Sequence, residues 1–293
     1  INNYYLSYTM KYSCKNPILY HTYNRIDVVK KVFKEIKKTK PKKLYISSDG
    51  PTNLKDKKKI YNIRKYISKN IKWKCKLYKI YNKKNLGPKL ALINALNFAF
   101  KKEKKLIILE HDCLPDISFF KFCDDLLELY ENEKKVKVIS GNYICKNLID
   151  RNKSYYFGYH PSAHGWATWR RTWRDYDISM KKFHPLKSLI WIILFFNFNL
   201  IRAHYFYNKF KMVKDNKIQT WDYQLLFSIW KKNGIFIRPT SNLSKHIGWG
   251  KQSYHGVGKD DLYDIKIQRM KFPLVHPEKF KINHKADTIE YQR

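Results

Sequence analysis

The feature that most constrains the fold of this chain is the regular alternation of strand-like and helix-like segments over its first half. Short apolar segments predict strands at 17–22, 42–48, 74–81, 104–110 and 136–142. Between them, apolar residues at three- and four-residue spacing predict helices at 26–38, 56–70, 88–102 and 119–132. Such alternation is typical of an α/β fold with a mostly parallel sheet, because helices supply the crossover connections that parallel strands need. After about residue 150 the pattern loosens into aromatic-rich, less regular sequence.

An unusual stretch follows the fourth predicted strand, where "LIILEHDCLP" (106–115) passes from four apolar residues into Glu110, His111 and Asp112. Polar residues also follow other predicted strands, and ligands of open parallel sheets bind in the crevice at the carboxyl ends of the strands. Any one polar strand end is ordinary, but together they favour a site at one edge of the sheet. The other polar strand ends are Asn24 and Arg25, Ser48 and Asp49, and the stretch from Ser140 to Asn142.

The chain contains neither a G-x-G-x-x-G turn nor a P-loop lysine motif. The phosphates of a bound nucleotide would therefore need another source of positive charge, and a metal held by carboxylates is the obvious candidate. The alternative role for Asp112 is to cap the helix that begins near Asp116. Asp116 itself is better placed for that role, because it directly precedes the apolar run.

A resemblance to a known family appears at these residues. "LIILEHDCLPDISFFKFCDDLL" resembles the E-D-D-x-x-x-P-x-F-F segment of GT-A-fold glycosyltransferases, in particular the bacterial family 2-like enzymes that have E-D-D-C-x-P. A more distant resemblance is to N-acetylglucosaminyltransferase I. The resemblance covers about residues 17–256, and further segments match the family in order: "PILYHTYNR", "LYISSDGP", "NLGPKLALINAL", "HGWATWRRTW", "TWDYQLLFSIWKKNG" and "NLSKHIGWGKQSYHG".

The resemblance implies one GT-A domain over residues 1–293, with a Rossmann-like, mostly parallel central sheet. Its nucleotide-sugar-binding half is expected at about 17–145 and its aromatic-rich acceptor-side half at about 146–256. Residues 257–293 would form a C-terminal extension.

The donor side of the site follows from the same resemblance. Asp112 matches the acid that binds a divalent metal, Mn²⁺ or Mg²⁺, at the diphosphate of the nucleotide. Glu110 matches the acid that supports the nucleotide end of the site. His111 stands where the family has a middle acid, so the role of that acid, a contact to the ribose, is left open here. Arg25 and Asp49 match the positions that hold uracil and ribose.

The aromatic half supplies further candidates. Trp166 belongs to a loop that the family places beside the sugar, whereas its neighbours Trp169 and Trp173 are expected in the core. Late histidines contact the metal or the diphosphate in many GT-A enzymes. This makes His255, in "SYHG", a candidate metal ligand and His246 a further one.

Asp222, in "QTWDYQLL", matches the catalytic base of the family. The local sequence predicts a helix that Thr220 caps and that ends at Gly234, so Asp222 would fall in its first turn. An acid there has a second explanation, because the helix dipole alone favours a negative charge at a helix start.

The activity implied is metal-dependent transfer of a sugar from a nucleotide-sugar donor, a UDP-sugar, to a glycan or lipid-linked acceptor in surface polysaccharide or glycoconjugate synthesis. The resemblance favours inversion of the anomeric configuration. Two alternatives stay open: a basic nucleic-acid- or membrane-binding protein, and an inactive protein with a glycosyltransferase fold. No specific nucleic-acid partner is expected, since the sequence has no recognisable helix-turn-helix, zinc module or RNA-binding aromatic motif.

The formal net charge of +36 comes from 60 Lys+Arg against 24 Asp+Glu and favours polyanionic or anionic-membrane partners. Five scattered cysteines without a CxxC pair indicate a reducing compartment. Together these features predict a cytoplasmic enzyme, peripheral on the inner face of the cell membrane. The longest apolar run, 188–201, is too short to span a bilayer. It is expected to form a buried or lid helix or, alternatively, a segment that dips into a membrane surface.

Overall fold

The computed structural model describes residues 12–143, 152–160, 162, 164–249 and 265–289. In these residues the strands are β1 (Ile18–Thr22), β2 (Lys43–Ser48), β3 (Lys76–Tyr81), β4 (Lys105–Glu110), β5 (Cys113–Pro115), β6 (Val136–Ser140), β7 (Tyr155–Gly158), β8 (Trp166–Trp169), β9 (Ile235–Pro239) and β10 (Ser244–His246). The helices are α1 (Ile26–Thr39), α2 (Leu54–Asn70), α3 (Gly87–Lys102), α4 (Ile117–Leu129), α5 (Arg170–Trp173), α6 (Pro185–Phe195), α7 (Leu200–Lys214), α8 (Asp222–Trp230) and α9 (His284–Ile289).

Eight strands form one sheet in the order β3-β2-β1-β4-β8-β6-β9-β7. Strands β3, β2, β1 and β4 are parallel to one another, and β6 is parallel to β9. Strand β8 lies antiparallel between β4 and β6, and β7 closes the far edge antiparallel to β9. Strands β10 and β5 form a separate antiparallel pair. The sheet is therefore mostly parallel, as the sequence predicts.

Two hydrophobic cores lie on the two faces of this sheet, and β4 contributes alternate residues to each. Ile107 and Leu109 pack in the core that also contains residues of α1, α2 and α4. Leu106 and Ile108 pack in the opposite core, with residues of α3, α6, α7 and α8. Since side chains alternate between the faces of a strand, Glu110 at the end of β4 falls on the second face.

The first half agrees closely with the sequence. Every strand and helix predicted before residue 143 is present, with bounds that shift by a few residues at most. Asp116 caps α4, because its side chain accepts a hydrogen bond from the backbone N–H of Ser118 (2.8 Å). The capping role that was considered for Asp112 therefore belongs to Asp116.

The second half departs from the sequence expectation. It contributes three strands to the main sheet, β7, β8 and β9, which the loosened pattern did not indicate. Trp166 and Trp169 lie in β8 and Trp173 in α5, so their helix-like spacing does not place them on one helix. Trp169 and Trp173 are buried, as expected of core residues, and Trp166, which was expected beside the sugar, is buried as well.

The predicted bounds of the helix around Asp222 were wrong at both ends. Helix α8 begins at Asp222 with Trp221 as its N-cap residue, and it ends at Trp230 instead of Gly234. Thr220 does not cap the helix but donates its hydroxyl hydrogen to Asp222 Oδ1. Asp222 lies in the first turn of α8, as predicted.

The apolar run 188–201 forms parts of two helices. Helix α6 ends at Phe195, and α7 begins at Leu200. Asn197 and Phe198, between them, have positive φ angles of 47° and 61°. The run is therefore not one buried helix, since Leu194, Phe198 and Ile201 are exposed. The lid and the membrane-surface segment stay predictions. None of the described helices is both long enough and apolar enough to cross a bilayer.

Candidate functional site

The predicted strand-end residues meet at the carboxyl edge of the parallel strands. Strand β1 pairs with β2 on one side and with β4 on the other, with His21 opposite both Ser47 and Glu110. The residues that follow these three strands therefore leave the sheet at the same carboxyl edge. They include Arg25, Asp49 and Asp112. The convergence expected from the sequence is present.

Asp112 is almost enclosed by imidazoles. The antiparallel pair of β5 and β10 sets His246 opposite Cys113, which brings His246 Nε2 to 3.2 Å from Asp112 Oδ2. His111 Nε2 lies 3.8 Å from the same oxygen. Burial would raise the pKa of Asp112, but His111, His246 and His164 outweigh it and hold the pKa well below its usual value. Asp112 is therefore ionised at neutral pH.

His164 is a member of this group that the sequence did not single out. Its ring centroid lies 5.1 Å from that of His246, and its Nδ1 is 3.4 Å from the side-chain amide nitrogen of Asn142. The loop that carries it ends in Gly165, whose φ of +79° is a conformation that favours glycine. The "HG" before Trp166 was the available signal for this turn.

His111, at the position of the middle acid of the family, is held near neutral charge. Burial lowers its pKa, Asp112 raises it in part, and Arg25 and His246 lower it again. Its Nδ1 is buried and has no hydrogen-bond partner in the described structure. A neutral imidazole with one unpaired nitrogen can donate or accept one further hydrogen bond.

Glu110 has the opposite environment from Asp112. Burial and the neighbouring carboxylates of Asp112 and Asp222 raise its pKa to about 8. This interaction shows that Asp222, more than a hundred residues away in sequence, belongs to the same site as the end of β4. In the ligand-free protein Glu110 is therefore protonated over most of the neutral range.

Asp222 lies in a small cleft that is walled by aromatic and aliphatic side chains. Its Oδ1 accepts hydrogen bonds from the Thr220 hydroxyl and from the backbone N–H of Tyr223 (2.8 Å). Trp166 lines the same cleft and stacks on Trp221 with ring centroids 5.2 Å apart. The indole N–H of Trp166 is buried without a hydrogen-bond partner in the described residues. Asp222, the candidate catalytic base, and Trp166 thus lie next to each other.

Arg25 links the first strand to the segment after β10. Its Nη1 donates to the carbonyl oxygen of Gly248 (2.6 Å). Gly248 is itself packed against Asp112, where an added Cβ would lie 2.5 Å from Asp112 Oδ2. A side chain at position 248 would therefore displace Asp112, the candidate metal ligand. The hydrogen bond from Arg25 holds this glycine in position.

Asp49 is already engaged within the protein. Its Oδ1 accepts from the backbone N–H of Gly50 (2.8 Å) and from the Asn82 amide (3.0 Å). Its Oδ2 accepts from the backbone N–H groups of Leu86 (3.2 Å) and Gly87 (3.1 Å). The carboxylate thus holds the loop that leads into α3, and little of its hydrogen-bonding capacity is left for a ligand.

The residues around Asp112 fit a divalent metal only in part. Asp112 and His246 offer one oxygen and one nitrogen ligand, which suit Mn²⁺ better than Mg²⁺. His246 Nδ1 is buried without a partner, so the ring is free to adjust. Across the described residues no set of three His, Cys, Asp or Glu side chains is grouped closely enough to hold a metal ion. Further ligands would have to come from a bound diphosphate, water or His255, which lies outside the described residues.

No protein-family model matches the chain, and no curated protein matches it. Among solved structures it is similar to S. aureus TarS 1–349, with 15% identity, a TM-score of 0.37 and coverage of 56% of this chain and 49% of that one. It is also similar to the inositol-1-phosphate CTP transferase from T. maritima, with 10% identity, a TM-score of 0.37 and coverage of 59% and 76%. The chain thus spans about half the length of the TarS structure.

These similarities concern the fold alone. The strand order described above confirms the predicted α/β class with a mostly parallel central sheet.

Proposed function

We propose that the chain is a metal-dependent glycosyltransferase that moves a sugar from a UDP-sugar to a glycan or lipid-linked acceptor with inversion at the anomeric carbon. The observation that carries this proposal is the placement of Glu110, Asp112 and Asp222 at one sheet edge, where burial, together with the other two carboxylates, raises the pKa of Glu110 to about 8. A cation bound at this edge would offset the negative charge of these carboxylates. Carboxylates at the carboxyl ends of parallel strands are also where an open α/β sheet binds nucleotides.

Asp112 and His246 would hold the metal. When bound, a divalent cation offsets the negative charge that grows on the departing diphosphate. Asp112 is suited to this role because it is ionised at neutral pH and lies 3.2 Å from an imidazole nitrogen. His255 is proposed as a further ligand.

The nucleoside would lie between the ends of β1 and β4. In this proposal Arg25 contacts the uracil or ribose, and the unpaired Nδ1 of His111 makes the ribose contact that an acid makes in the family. Asp49 acts mainly by fixing the loop before α3, since backbone groups occupy both of its oxygens. Glu110 supports the nucleotide end of the site.

The acceptor would enter beside Trp166 and Asp222. In an inverting transfer the acceptor hydroxyl loses its proton as its oxygen attacks the anomeric carbon, and Asp222 would take that proton. Only Oδ1 of Asp222 is engaged by Thr220 and Tyr223. The other oxygen is therefore available to the acceptor. Trp166 is buried and stacks on Trp221, so it would shape the wall of this cleft from behind.

The first experiment compares ligands on the whole chain. Unfolding temperature is measured with UDP plus Mn²⁺, with UDP alone, with Mn²⁺ alone and with duplex DNA. The proposal expects a saturable rise with UDP plus Mn²⁺ that exceeds the effect of either component, because only the ternary complex neutralises the site. A rise with DNA alone, and none with UDP plus Mn²⁺, would instead favour a nucleic-acid-binding protein.

The donor sugar is identified by the same metal requirement. A panel of nucleotide sugars is screened for Mn²⁺-dependent hydrolysis, which is transfer to water in place of the acceptor. Release of UDP from one UDP-sugar, without release of GDP from GDP-sugars or of CMP from CMP-sugars, is the expected result.

We further propose that the enzyme docks on an anionic membrane surface through α6 and the start of α7. Leu186, Ile190 and Leu194 follow one another at four-residue spacing on α6, and each is more than half exposed. Exposed apolar residues continue into the next turn and helix at Phe198, Leu200 and Ile201. A contiguous apolar surface of this kind marks a partner or a membrane.

The charges around this surface select an anionic lipid surface as the occupant. Residues 178–214 contain no Asp or Glu. They contain seven basic residues, three of them just before or within α6: Lys181, Lys182 and Lys187. Apolar insertion flanked by lysines is the arrangement by which interfacial helices bind anionic lipid.

Vesicle binding tests the docking proposal with a matched pair of variants. Ile201 and Leu54 are both 83% exposed, but Leu54 lies at the start of α2, away from this surface. Ile201→Ser should weaken binding to phosphatidylglycerol-containing vesicles by roughly tenfold, since burying one aliphatic side chain contributes about 1.5–3 kcal/mol. Leu54→Ser should leave binding unchanged.

Salt separates the electrostatic part of this binding from the apolar part. Binding to the anionic vesicles should fall steeply with ionic strength. Equal binding to neutral and anionic vesicles, or equal losses in the two variants, would contradict the docking proposal.

A further inference from the structure

A second cleft, of about 420 Å³, lies on the sheet face that carries α3, α7 and α8. The first turn of α3 forms one wall through Lys89. The segment around Ser179 and the chain from the end of α7 to Gln219 form the others. No Asp or Glu lines it among the described residues. Its walls offer cations, hydroxyl and amide groups beside the aliphatic side chains of Leu90, Ile178 and Val213, and none of the lining residues is acidic.

Lys89 is the unusual residue of this cleft. Only 9% of it is exposed, yet its ammonium group has no ion pair or hydrogen bond with another described residue. Burial lowers its pKa, and no carboxylate acts in the opposite direction. The ammonium nitrogen itself is not fully buried and meets solvent in the cleft. An ammonium that faces a cleft without a carboxylate partner is available to an anionic ligand.

Lys214 supplies a second cation and is already oriented. Its Nζ donates to the carbonyl oxygens of Ser179 (2.9 Å) and Met180 (3.2 Å), which fixes the ammonium against the wall. One of its three N–H groups stays available, since an ammonium has three donors and these bonds use two. The adjacent acid, Asp215, does not neutralise Lys214, because it pairs with Lys211 at 2.6 Å.

The position of the cleft relates it to the acceptor side of the site. Gln219, on its wall, is three residues before Asp222 in the chain. Asp112, the candidate metal ligand, lies instead after the end of β4, with the histidines around it. The cleft and the candidate base are therefore connected through one short segment, 219–222, that ends at the start of α8.

We propose that this cleft binds a phosphate group carried by the acceptor, held by Lys89 and Lys214, so that the preferred acceptors are phosphorylated or phosphodiester-linked glycans or lipids. This inference rests on the proposed function and names the acceptor class for it. Lysine binds phosphate as a point charge, and two ammonium groups match a phosphate that carries up to two negative charges. Ser179, Asn216 and Gln219 can bind the polyol or sugar next to that phosphate.

Calorimetric titration of the whole chain with glycerol 3-phosphate, and with glycerol as the uncharged probe, tests the site. Both titrations are made with and without saturating UDP plus Mn²⁺. Saturable binding of glycerol 3-phosphate that persists with UDP present is expected, and glycerol should not bind. If UDP displaces glycerol 3-phosphate, the cleft binds the donor diphosphate and the proposal is wrong.

Three variants assign the binding to Lys89. Lys89→Met should weaken binding of glycerol 3-phosphate by roughly 10–100-fold, the effect of a charge-assisted hydrogen bond of about 1.5–3 kcal/mol. Lys89→Arg should retain most of the affinity. Lys101→Met, near the exposed C-terminal end of α3, is the control and should change nothing.

A second measurement separates a binding role from a structural one. Lys89→Met should leave the unfolding temperature of the ligand-free chain close to that of the wild type, because the ammonium meets solvent and makes no hydrogen bond or ion pair with a described residue. A lower unfolding temperature together with unchanged affinity would assign Lys89 to the fold and overturn the proposal. If UDP plus Mn²⁺ binds but glycerol 3-phosphate does not, the acceptor inference fails while the proposed transferase stands. Binding of glycerol 3-phosphate without any binding of UDP would support the phosphate site in the cleft and contradict the proposed transferase.

Discussion

Asp112 and Glu110 lie two residues apart at the end of β4, yet their surroundings are opposite. Around Asp112, His111, His246 and His164 hold the pKa well below its usual value. Around Glu110, burial and the carboxylates of Asp112 and Asp222 raise the pKa to about 8. Asp112 thus has imidazoles beside its carboxylate, whereas Glu110 has other carboxylates beside it.

This difference follows from the sheet. Glu110 is the last residue of β4 and continues the alternation that directs Leu106 and Ile108 toward α8, where Asp222 lies. Asp112 is already beyond the strand, beside β5 and β10. Asp112 can therefore stay ionised without a ligand, whereas Glu110 keeps its proton until a cation binds.

The largest effect is expected at Asp222. Asp222→Asn keeps the size of the side chain but cannot take a proton from the acceptor, so the transfer rate should fall by about 10²–10⁴-fold. Binding of UDP and metal should be unchanged, because those ligands belong to the Asp112 side. Steady-state transfer and calorimetric UDP titration measure the two properties separately.

Two results would contradict this role. A transfer rate within a few-fold of the wild type would reduce Asp222 to an acid that the dipole of α8 favours. A product with retained anomeric configuration would remove the need for a base at this position.

Asp112→Asn should cause the next largest loss, of metal-dependent UDP binding. The carboxamide keeps a neutral oxygen near His246 but removes the negative charge that a hard divalent cation requires. Asp116→Asn is the matched control, four residues along the chain. It alters the cap of α4, for which asparagine is itself suited, and an ion pair with Arg269, whose side chain is 55% exposed, so UDP binding and stability should both stay close to the wild type. UDP affinity that remains equally metal-dependent in Asp112→Asn would exclude Asp112 as the metal ligand.

The two sides of the site also differ in how far the sequence could predict them. The first half of the fold was predictable because each strand is separated from the next by a helix of matching period, so the signal is local. Strand β8 gave no such signal. Its residues Trp166–Trp169 pair antiparallel with β4 and β6, which are distant in sequence, and only those partners define it as a strand.

The same distinction between local and distant contacts applies to the site residues. Glu110 and Asp112 stand at a strand end that the local pattern marks. The importance of His246 and His164 depends on the β5–β10 pairing and on the turn at Gly165, which no local pattern reveals. For Asp49 the sequence predicted a ligand contact, but the loop before α3 occupies its oxygens. That outcome depends on the conformation of 82–87, outside the motif itself.

Glu110 gives a pH-dependent prediction for the stability of the metal-free protein. Folding raises its pKa from the usual glutamate value of 4.5 to about 8, through burial and the neighbouring carboxylates. Below pH 4.5 both states are protonated. As the pH rises through 8, the unfolded state ionises first, so the free energy of unfolding falls across this window. Glu110→Gln removes that loss. Its free energy of unfolding should therefore exceed that of the wild type by on the order of 1–3 kcal/mol between pH 5 and pH 8, a range that allows for solvent screening of a partly exposed group.

A control with the opposite shift accompanies this measurement. The pKa of Glu128 is lowered, chiefly by its hydrogen bond from Lys105, so its contribution changes only below the usual glutamate range. Chemical denaturation should therefore show no pH-dependent gain for Glu128→Gln between pH 5 and pH 8. Parallel behaviour of the two variants would mean that Glu110 does not interact with Asp112 and Asp222 as described.

The smallest effect on activity is expected for His111→Asp, which restores the acid of the family. The new carboxylate would lie beside Asp112, so the metal-free protein should become less stable through like-charge repulsion, while its affinity for Mn²⁺ should rise. The transfer rate at saturating Mn²⁺ should stay within a few-fold of the wild type or exceed it. His111→Asn, which has the size of aspartate without its charge, should show neither the loss of stability nor the gain in affinity. A folded His111→Asp protein that lacks activity while retaining UDP and metal binding would instead give the imidazole a role of its own, as a hydrogen-bond donor that an ionised acid cannot replace.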